Sequence, residues 1–389
     1  MKIVVVDIAA SKTGALAILM DFYEYVRENG RDHQWIFLTG VDCIKDPPPF
    51  ITVKVMDRVK RSQKDRLVFD FFTGRGFIED LEPDVIFSMQ NTLTFGSIRR
   101  RKDLTIGGQL VSRRGDKVPQ VLYVHQPLGY QKTKGFSFFI REEREYAVYQ
   151  YLIGTLIDLS VKRSGLSIVQ TEWMREAVSK KTGKSLSKVV KVSPEVPDMS
   201  ENRLRFVEGR PENWDKKHFF FPSGEILYKN HECVLKAAAI LNEKGYTDFE
   251  VHFTLKSLKD VTDRDYPDPC GNIHWTGRVS REEVIDEYKR GTLLFPSYIE
   301  TYGVPLAEAR GVGTLILASD CPFSREVLKG YKNARFFDPF DPAELARLME
   351  SVLKGELEPE ETSEETNSPE ERGYGEILRL ITSEDRWKS

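Results

Sequence analysis

Thr292-Leu293-Leu294-Phe295-Pro296-Ser297 and the nine residues Glu300-Thr301-Tyr302-Gly303-Val304-Pro305-Leu306-Ala307-Glu308 decide how this chain folds. The first run is short, apolar and bounded by turn residues, which predicts a buried parallel strand. Tyr302-Gly303 is the turn, where a glycine is free to adopt backbone angles that other residues avoid. Val304 to Ala309 opens a helix, with Pro305 near its first position, where a missing N–H does no harm. Glu300 therefore sits at the carboxyl end of a strand, and Glu308 about one turn into the helix. Open parallel sheets bind ligands at that edge. Carboxylates accept hydrogen bonds from hydroxyls, and exposed helix amides favour phosphate. A molecule with hydroxyls at both ends and phosphates between, such as a nucleotide sugar, suits this arrangement.

The same logic occurs upstream in Phe219-Phe220-Phe221-Pro222-Ser223-Gly224-Glu225-Ile226-Leu227-Tyr228-Lys229-Asn230-His231. A strand ends in a Ser-Gly turn, a polar loop follows, and Lys229 stands just before a helix. A lysine there can place its charge on a diphosphate held at the helix N-terminus. A solvated surface lysine is the duller alternative. Recurrence of the motif at Glu300 favours the first.

Outward from these loops, strands and helices alternate. Strands are predicted at Ile3–Val6, Gln34–Leu38, Asp84–Ser88, Val118–Val124 and Leu166–Gln170, with a helix at Leu16–Glu28 and a long helical region from Phe136 to Lys162. The pattern restarts with strands at His218–Pro222, Phe249–Leu255, Ile273–Trp275, Thr292–Phe295 and Thr314–Ala318. Helices at Glu232–Lys244, Arg281–Arg290, Pro305–Gly311 and Pro342–Leu353 intervene or follow. Such alternation predicts an α/β fold: two doubly wound, Rossmann-like domains facing each other across a cleft. The expected division is 1–195, an irregular connection 196–217, a second domain 218–354, an acidic mobile segment 355–372 and a C-terminal helix within 373–389.

With 389 residues, 40% hydrophobic and 30% charged, the chain has the size of two ordinary soluble domains. No stretch approaches the length of a membrane span, and Met1-Lys2-Ile3-Val4-Val5-Val6-Asp7 reads as a first strand rather than a signal peptide. Four scattered cysteines lack metal-ligand spacing and fit a reducing, cytoplasmic setting. The net charge of −3 divides into roughly +7 over residues 1–200 and roughly −10 over the remainder. A basic half fits an anionic membrane or substrate. Nucleic acid is not expected, because no recognition motif accompanies the charge.

Lys229-Asn230-His231, Ile273-His274-Trp275-Thr276-Gly277-Arg278-Val279, and Glu300 to Glu308 follow in the order and spacing of the retaining GT-B glycosyltransferases of family 4. The chain resembles that family over most of residues 218–353, where Leu317-Ala318-Ser319-Asp320 and Arg325-Glu326-Val327 extend the likeness. Ser11-Lys12-Thr13-Gly14, Gln90-Asn91-Thr92, Tyr123-Val124-His125-Gln126-Pro127-Leu128 and Val169 to Met174 resemble, more loosely, its bacterial branch that builds surface polysaccharides. The resemblance implies that Glu300 holds hydroxyls of the donor sugar, with Thr301, Tyr302 and Gly303 lining the sugar and phosphates. Glu308 would take the ribose diol, Lys229 the diphosphate leaving group, and Arg278 and Val279 would lie beside the base. Gly14 would let the N-terminal backbone approach, and His125 would point towards the donor sugar.

It further implies transfer of a hexose, with retention, from a UDP- or GDP-linked donor to a saccharide or polyprenyl-diphosphate-linked acceptor. No further cofactor is expected. Many members have an arginine about five residues before the lysine, where this chain has Gly224 beside Ser223. Either the Ser-Gly backbone and another cation, with Arg278 the candidate, do the work, or the donor is bound more weakly. No metal is expected at the site: Asp263-Arg264-Asp265 has the form of a metal-binding pair, but nearby prolines and a glycine crowd it into a loop. Other readings are a sugar-nucleotide epimerase or a phosphorylase on this scaffold, or a non-catalytic nucleotide-sugar-binding subunit. Phe136, Phe138, Phe139 and Ile140 among Lys132, Lys134, Arg141 and Arg144 fit peripheral contact with the inner face of a membrane, or a helix packed on its own sheet. Arg99-Arg100-Arg101-Lys102 with Arg113-Arg114 reads as an anion patch, with an ordinary solvated loop as the alternative.

Overall fold

A computed structural model describes residues 1–10, 13–106, 109–257, 259, 266, 268, 270–362 and 373–383, with backbone only at 13, 63, 101–106 and 109–114. The chain divides into two compact units, Met1–Tyr130 with Val148–Glu195 and Ser368–Ser389, and Gln131–Ala147 with Val196–Asn367.

The first unit is built on a parallel sheet in the order Ile51–Val55, Gln34–Thr39, Lys2–Asp7, Val85–Ser88, Gln120–Val124, Leu166–Val169 and Val189–Lys191. Successive side chains of a strand point to opposite faces, so a strand covered on both sides must be apolar throughout. Ile3 and Val5 enter one core with Leu19, Phe22, Trp35 and Phe87, while Val4 and Val6 enter another with Leu38, Ile78 and Ile86. The C-terminal helix Gly373–Thr382 completes the first core through Ile377, Leu380 and Ile381.

The second unit repeats the plan in six parallel strands: Ile273–Trp275, Glu250–Phe253, His218–Phe221, Thr292–Phe295, Ile316–Ser319 and Ala334–Phe337. Both sheets place their own first strand centrally and run outward from it in both directions. This is the doubly wound order, and ligands of such sheets bind where the direction reverses, beyond the strands' carboxyl ends. The expected pair of Rossmann-like domains is therefore present.

Several elements differ from the expectation. Residues 136–162 do not form one helix. Residues 136–140 are not helical, and short helical segments at Arg141–Glu143, Arg144–Ala147, Val148–Ile153 and Gly154–Arg163 follow. Residues up to Ala147 belong to the second unit, and the remainder to the first. The basic stretch expected as a loop is an antiparallel hairpin, Arg99–Ile106 with Gln109–Lys117. Its dense charge hides the alternation by which a strand is recognised. Arg100 is paired with Asp84 at 3.1 Å, whereas the side chains of Arg101, Lys102, Arg113 and Arg114 lie outside the description.

Residues 196–217 pack within the second unit: Leu204 N–H donates to Val312 O at 2.7 Å, and Phe206–Val207 pairs with Arg210–Pro211. In the acidic segment, Asn333 bonds the backbone of Glu360 in both directions at 2.8 Å, and Arg203 bonds Thr362. Residues 363–372 lie outside the description, as do Asp263-Arg264-Asp265 and Ser11-Lys12. Among the described residues, no helix is long and apolar enough to cross a membrane.

Candidate functional site

The reversal point of the second sheet lies between His218–Phe221 and Thr292–Phe295, which pair directly through Phe219 with Thr292 and Phe220 with Leu293. Both strands are wholly buried, so their chain positions are fixed and the loops leaving them start side by side. After the first, a helical turn Leu227–Lys229 leads into the helix His231–Glu243. After the second, residues 296–303 lead into the helix Val304–Val312.

Three bonds tie these loops together. Tyr298 N–H donates to Tyr228 O at 3.1 Å. Asn230, in the left-handed conformation at φ 64°, donates through Nδ2 to Pro296 O at 3.2 Å and to Pro339 O at 2.7 Å. Lys229 Nζ is ion-paired with Glu300 Oε1, both side chains largely buried. The lysine and carboxylate singled out from the sequence thus meet directly.

Glu308 lies one turn into the second helix, as expected, and it is held by two residues that sequence reasoning missed. Arg281 Nη2 donates to its Oε1 at 2.6 Å, and the Tyr288 hydroxyl to Oε2 at 3.4 Å. Burial pushes the Glu308 carboxyl above its ordinary range, with Arg281 and Tyr288 acting in the opposite direction. Both partners come from the helix Arg281–Arg290, whose N-terminus is fixed by a capping box between Ser280 and Glu283. That Ser-x-x-Glu signal marks Arg281 as the first helical residue, but nothing in the sequence aims it at Glu308.

Gly303 caps the second helix at φ 86°, ψ 65°. A Cβ there would lie 3.2 Å from Leu306 Cδ1 on a backbone that other residues rarely adopt, so the turn requires glycine. Tyr302 is buried beside it, and Thr301 precedes it in the loop. Ser223 N–H donates to Thr254 Oγ1 at 2.9 Å, so its backbone position is fixed, and Gly224 is exposed. Arg278 and Val279 follow Ile273–Trp275 after a turn at Gly277, whose N–H donates to Leu255 O at 2.9 Å. Arg278 is exposed and has no hydrogen bond or ion pair among the described residues.

The segment Gln131–Ala147 contributes Tyr146 to these loops. Its hydroxyl accepts the Leu227 N–H at 3.2 Å, and its ring meets Tyr228 edge-on at 5.7 Å. Nothing in the sequence pattern associates these two tyrosines.

His125 and Gly14 belong to the first unit. His125 follows the strand Gln120–Val124, and Asn91 holds it twice: its Oδ1 accepts the His125 N–H at 2.7 Å, and its Nδ2 lies 3.1 Å from Nε2. Since an amide nitrogen only donates, Nε2 accepts and the ring proton sits on Nδ1. Burial pulls the His125 pKa down to about 4, so the ring is neutral at pH 7. Gly14 lies inside the first turn of the helix Thr13–Asn29 rather than in the preceding turn, and a Cβ there would meet nothing within 4 Å.

Residues 205–368 match the family model of glycosyl transferases, group 1. No curated protein matches the chain in sequence. Among solved structures, the chain is similar to WaaG, a glycosyltransferase involved in lipopolysaccharide biosynthesis, with a TM-score of 0.59, 13% identity and 92% of each chain covered. It is similar to Anabaena HepE in complex with UDP-glucose, with a TM-score of 0.56, 14% identity and 92% and 91% covered. Sucrose-phosphate synthase from Thermosynechococcus elongatus gives a TM-score of 0.57, 10% identity and 100% and 96% covered. At such identities the neighbours speak for the fold, and the matched domain for the chemistry. The match over residues 205–368 marks the chain as a glycosyltransferase, and its fold is two Rossmann-like domains, the GT-B architecture.

Proposed function

We propose that the chain moves a hexose from a UDP- or GDP-linked donor to a saccharide or polyprenyl-diphosphate-linked acceptor, with retention, in the synthesis of a surface polysaccharide. The observation that carries this reading is the Lys229–Glu300 pair at the reversal point of the second sheet, with Glu308 on the helix that follows. A bound diphosphate would draw Lys229 away from Glu300, leaving the carboxylate to accept sugar hydroxyls. Glu308 would accept the ribose diol, and the loop Thr301–Gly303 would line the sugar and phosphates. Arg278 and Val279 would flank the base, and the amides at Ser223 and Gly224 would assist Lys229. His125, in the first unit, would lie near the donor sugar, and Gly14 would let the N-terminal backbone approach the phosphates or the acceptor.

In the reaction the anomeric C–O bond to the diphosphate breaks and a glycosidic bond to the acceptor hydroxyl forms on the same face. The acceptor proton passes to the departing phosphate oxygen. Lys229 and loop amides stabilise the charge that develops there, which is the part otherwise taken by a divalent ion. The site chemistry is thus metal-independent and uses the nucleotide sugar as co-substrate, with no further cofactor. Phe139, which is 96% exposed, and its exposed neighbours Phe138 and Ile140 support peripheral contact with the cytoplasmic face of a membrane.

The test has two stages. Thermal shift against a panel of nucleotide sugars identifies the donor, and release of nucleoside diphosphate is then followed with lipid-linked saccharides. Release that depends on acceptor supports the reading. Donor binding with no turnover on any acceptor points instead to a binding subunit, and release-free isomerisation of the donor to an epimerase.

A further inference from the structure

Away from the Lys229–Glu300 loops, the second sheet carries a row of histidines that the transferase reading does not use. Three of the six histidines in the chain, His218, His252 and His274, lie side by side on three adjacent strands. The parallel ladders pair His218 with Glu250 and His252 with His274, and Glu250 and His252 are two residues apart. All four side chains therefore share one face of the sheet. Ring centroids are 4.4 Å apart for His218–His252 and 4.7 Å for His252–His274. The helix Arg281–Arg290 adds Glu287, whose Oε2 bonds His218 Nε2.

We propose that Glu250, His252, His274 and the Nδ1 of His218 form a binding site for a divalent transition-metal ion, with zinc the best match to the donors. A carboxylate only accepts, so the bond to Glu287 places the His218 proton on Nε2 and leaves a lone pair on Nδ1. His218 is 1% exposed, and this Nδ1 has no hydrogen-bond partner. A buried nitrogen of this kind costs free energy unless something occupies it. It faces Glu250 Oε2 at 3.8 Å, and the same oxygen lies 3.1 Å from His252 Nε2. Ligands of a tetrahedral zinc ion, each about 2.1 Å from the metal, stand about 3.4 Å from one another. The two observed separations bracket that value. Donor atoms of Glu250, His252 and His274 all lie within 4.8 Å of each other, so His274 closes the set by a side-chain rotation.

Glu287 supplies the remaining feature of a built site. A metal-bound imidazole ordinarily donates its other N–H to a carboxylate, which fixes its tautomer and orientation. The His218–Glu287 bond is already such an arrangement. Arg290 Nη2, 3.9 Å from Glu250 Oε2, is half-exposed and free to swing away. The ion would tie the three strands together and, through Glu287, fix the helix that bears Arg281 and Tyr288, the residues holding Glu308. Its role is structural, separate from the diphosphate chemistry at Lys229.

The test uses the full chain, freed of metal with EDTA and titrated with zinc chloride by calorimetry, with cobalt(II) as a spectroscopic probe. One zinc per chain, a raised unfolding temperature and a tetrahedral cobalt spectrum are expected. His252→Gln and His274→Ala should each weaken zinc binding by at least about 100-fold, the upper end of what loss of a mere outer-shell partner costs, while leaving the unfolding temperature of the metal-free chain close to that of the parent. His274, on the edge strand, serves if His252→Gln fails to fold. No saturable zinc binding by the parent, or equal affinity in parent and variants, overturns the proposal and leaves a set of histidines that share protons with two carboxylates.

Discussion

Lys229 and Glu300, 71 residues apart, form an ion pair across the two loops that leave the central strands of the second sheet. Each is the other's counter-charge until a ligand with both a diphosphate and hydroxyls separates them. Their variants should therefore behave differently. Lys229→Ala removes a cation facing the leaving group and should lower kcat by about 100- to 1,000-fold. Glu300→Gln should also lower kcat, yet it frees Lys229 for anions, so nucleoside diphosphate should bind more tightly than to the parent. Calorimetry with UDP and GDP beside steady-state rates checks this. Weaker diphosphate binding in Glu300→Gln would mean that Lys229 does not face the phosphates.

Glu308 should give the donor interaction a pH dependence. Burial raises its carboxyl above the ordinary value of 4.5. Only the ionised form accepts from two hydroxyls of a diol, so acidification should raise the donor KM before a solvent-exposed glutamate would titrate. Glu308→Gln should remove that limb and raise KM at neutral pH with little change in kcat, because ribose contacts are alike in ground and transition states. Arg281→Ala removes a charge that favours the carboxylate and should move the limb to higher pH. An unchanged limb in Glu308→Gln would assign the titration to another group.

Much of this was legible in the sequence, and the gaps have physical causes. Ile273–Trp275, Arg281–Arg290 and Thr292–Phe295 begin and end where the pattern predicts, because strong turn residues or a capping box bound them. Ile51–Val55, Val189–Lys191 and Ala334–Phe337 were not predicted. They lie at or towards sheet edges, are short and carry charged residues, so hydrophobic periodicity has little to act on. Helix Glu172–Thr182 was missed similarly, under its run of charges. At the site, Lys229, Glu300 and Glu308 declared themselves through chemistry and position, whereas Arg281, Tyr288, Tyr146 and Asn91 are recognisable only by what they touch. The histidine row is invisible from spacing, because its members come together through strand register alone.

Gly224 stands where the resemblance to family 4 leads one to expect an arginine, and the structure has room for one. Its φ is not positive, and a Cβ would meet nothing within 4 Å. Gly224→Arg should fold normally and tighten binding of the nucleoside diphosphate product by about tenfold, the equivalent of one charge-assisted hydrogen bond near 1.4 kcal/mol. Nucleoside alone should bind as before. Equal diphosphate affinity in variant and parent would place this loop away from the phosphates, and the role given to the Ser223 and Gly224 amides would go with it.

His231 couples the second unit to acid. Its ring is buried between Phe221 and Phe253, with centroids 4.9 and 5.4 Å away, and neither nitrogen has a hydrogen-bond partner. Burial first, and the charge of Lys229 second, pull its pKa from 6.5 down to about 3. As the pH falls, the unfolded chain takes up this proton before the folded one does. The stability associated with the neutral ring is therefore complete above 6.5 and lost progressively from there towards about 3. The slope is about 1.4 kcal/mol per pH unit, or about 2 kcal/mol by pH 5. His231→Phe keeps the aromatic contacts and removes the titration, so its second unit should resist acid better, by about that amount, while differing little at pH 7.5. Because two units need not unfold together, the measurement is hydrogen exchange within the helix His231–Glu243 rather than a global melt. Parallel loss of protection in parent and variant between pH 6.5 and 5 would show that the fold does not hold this ring neutral.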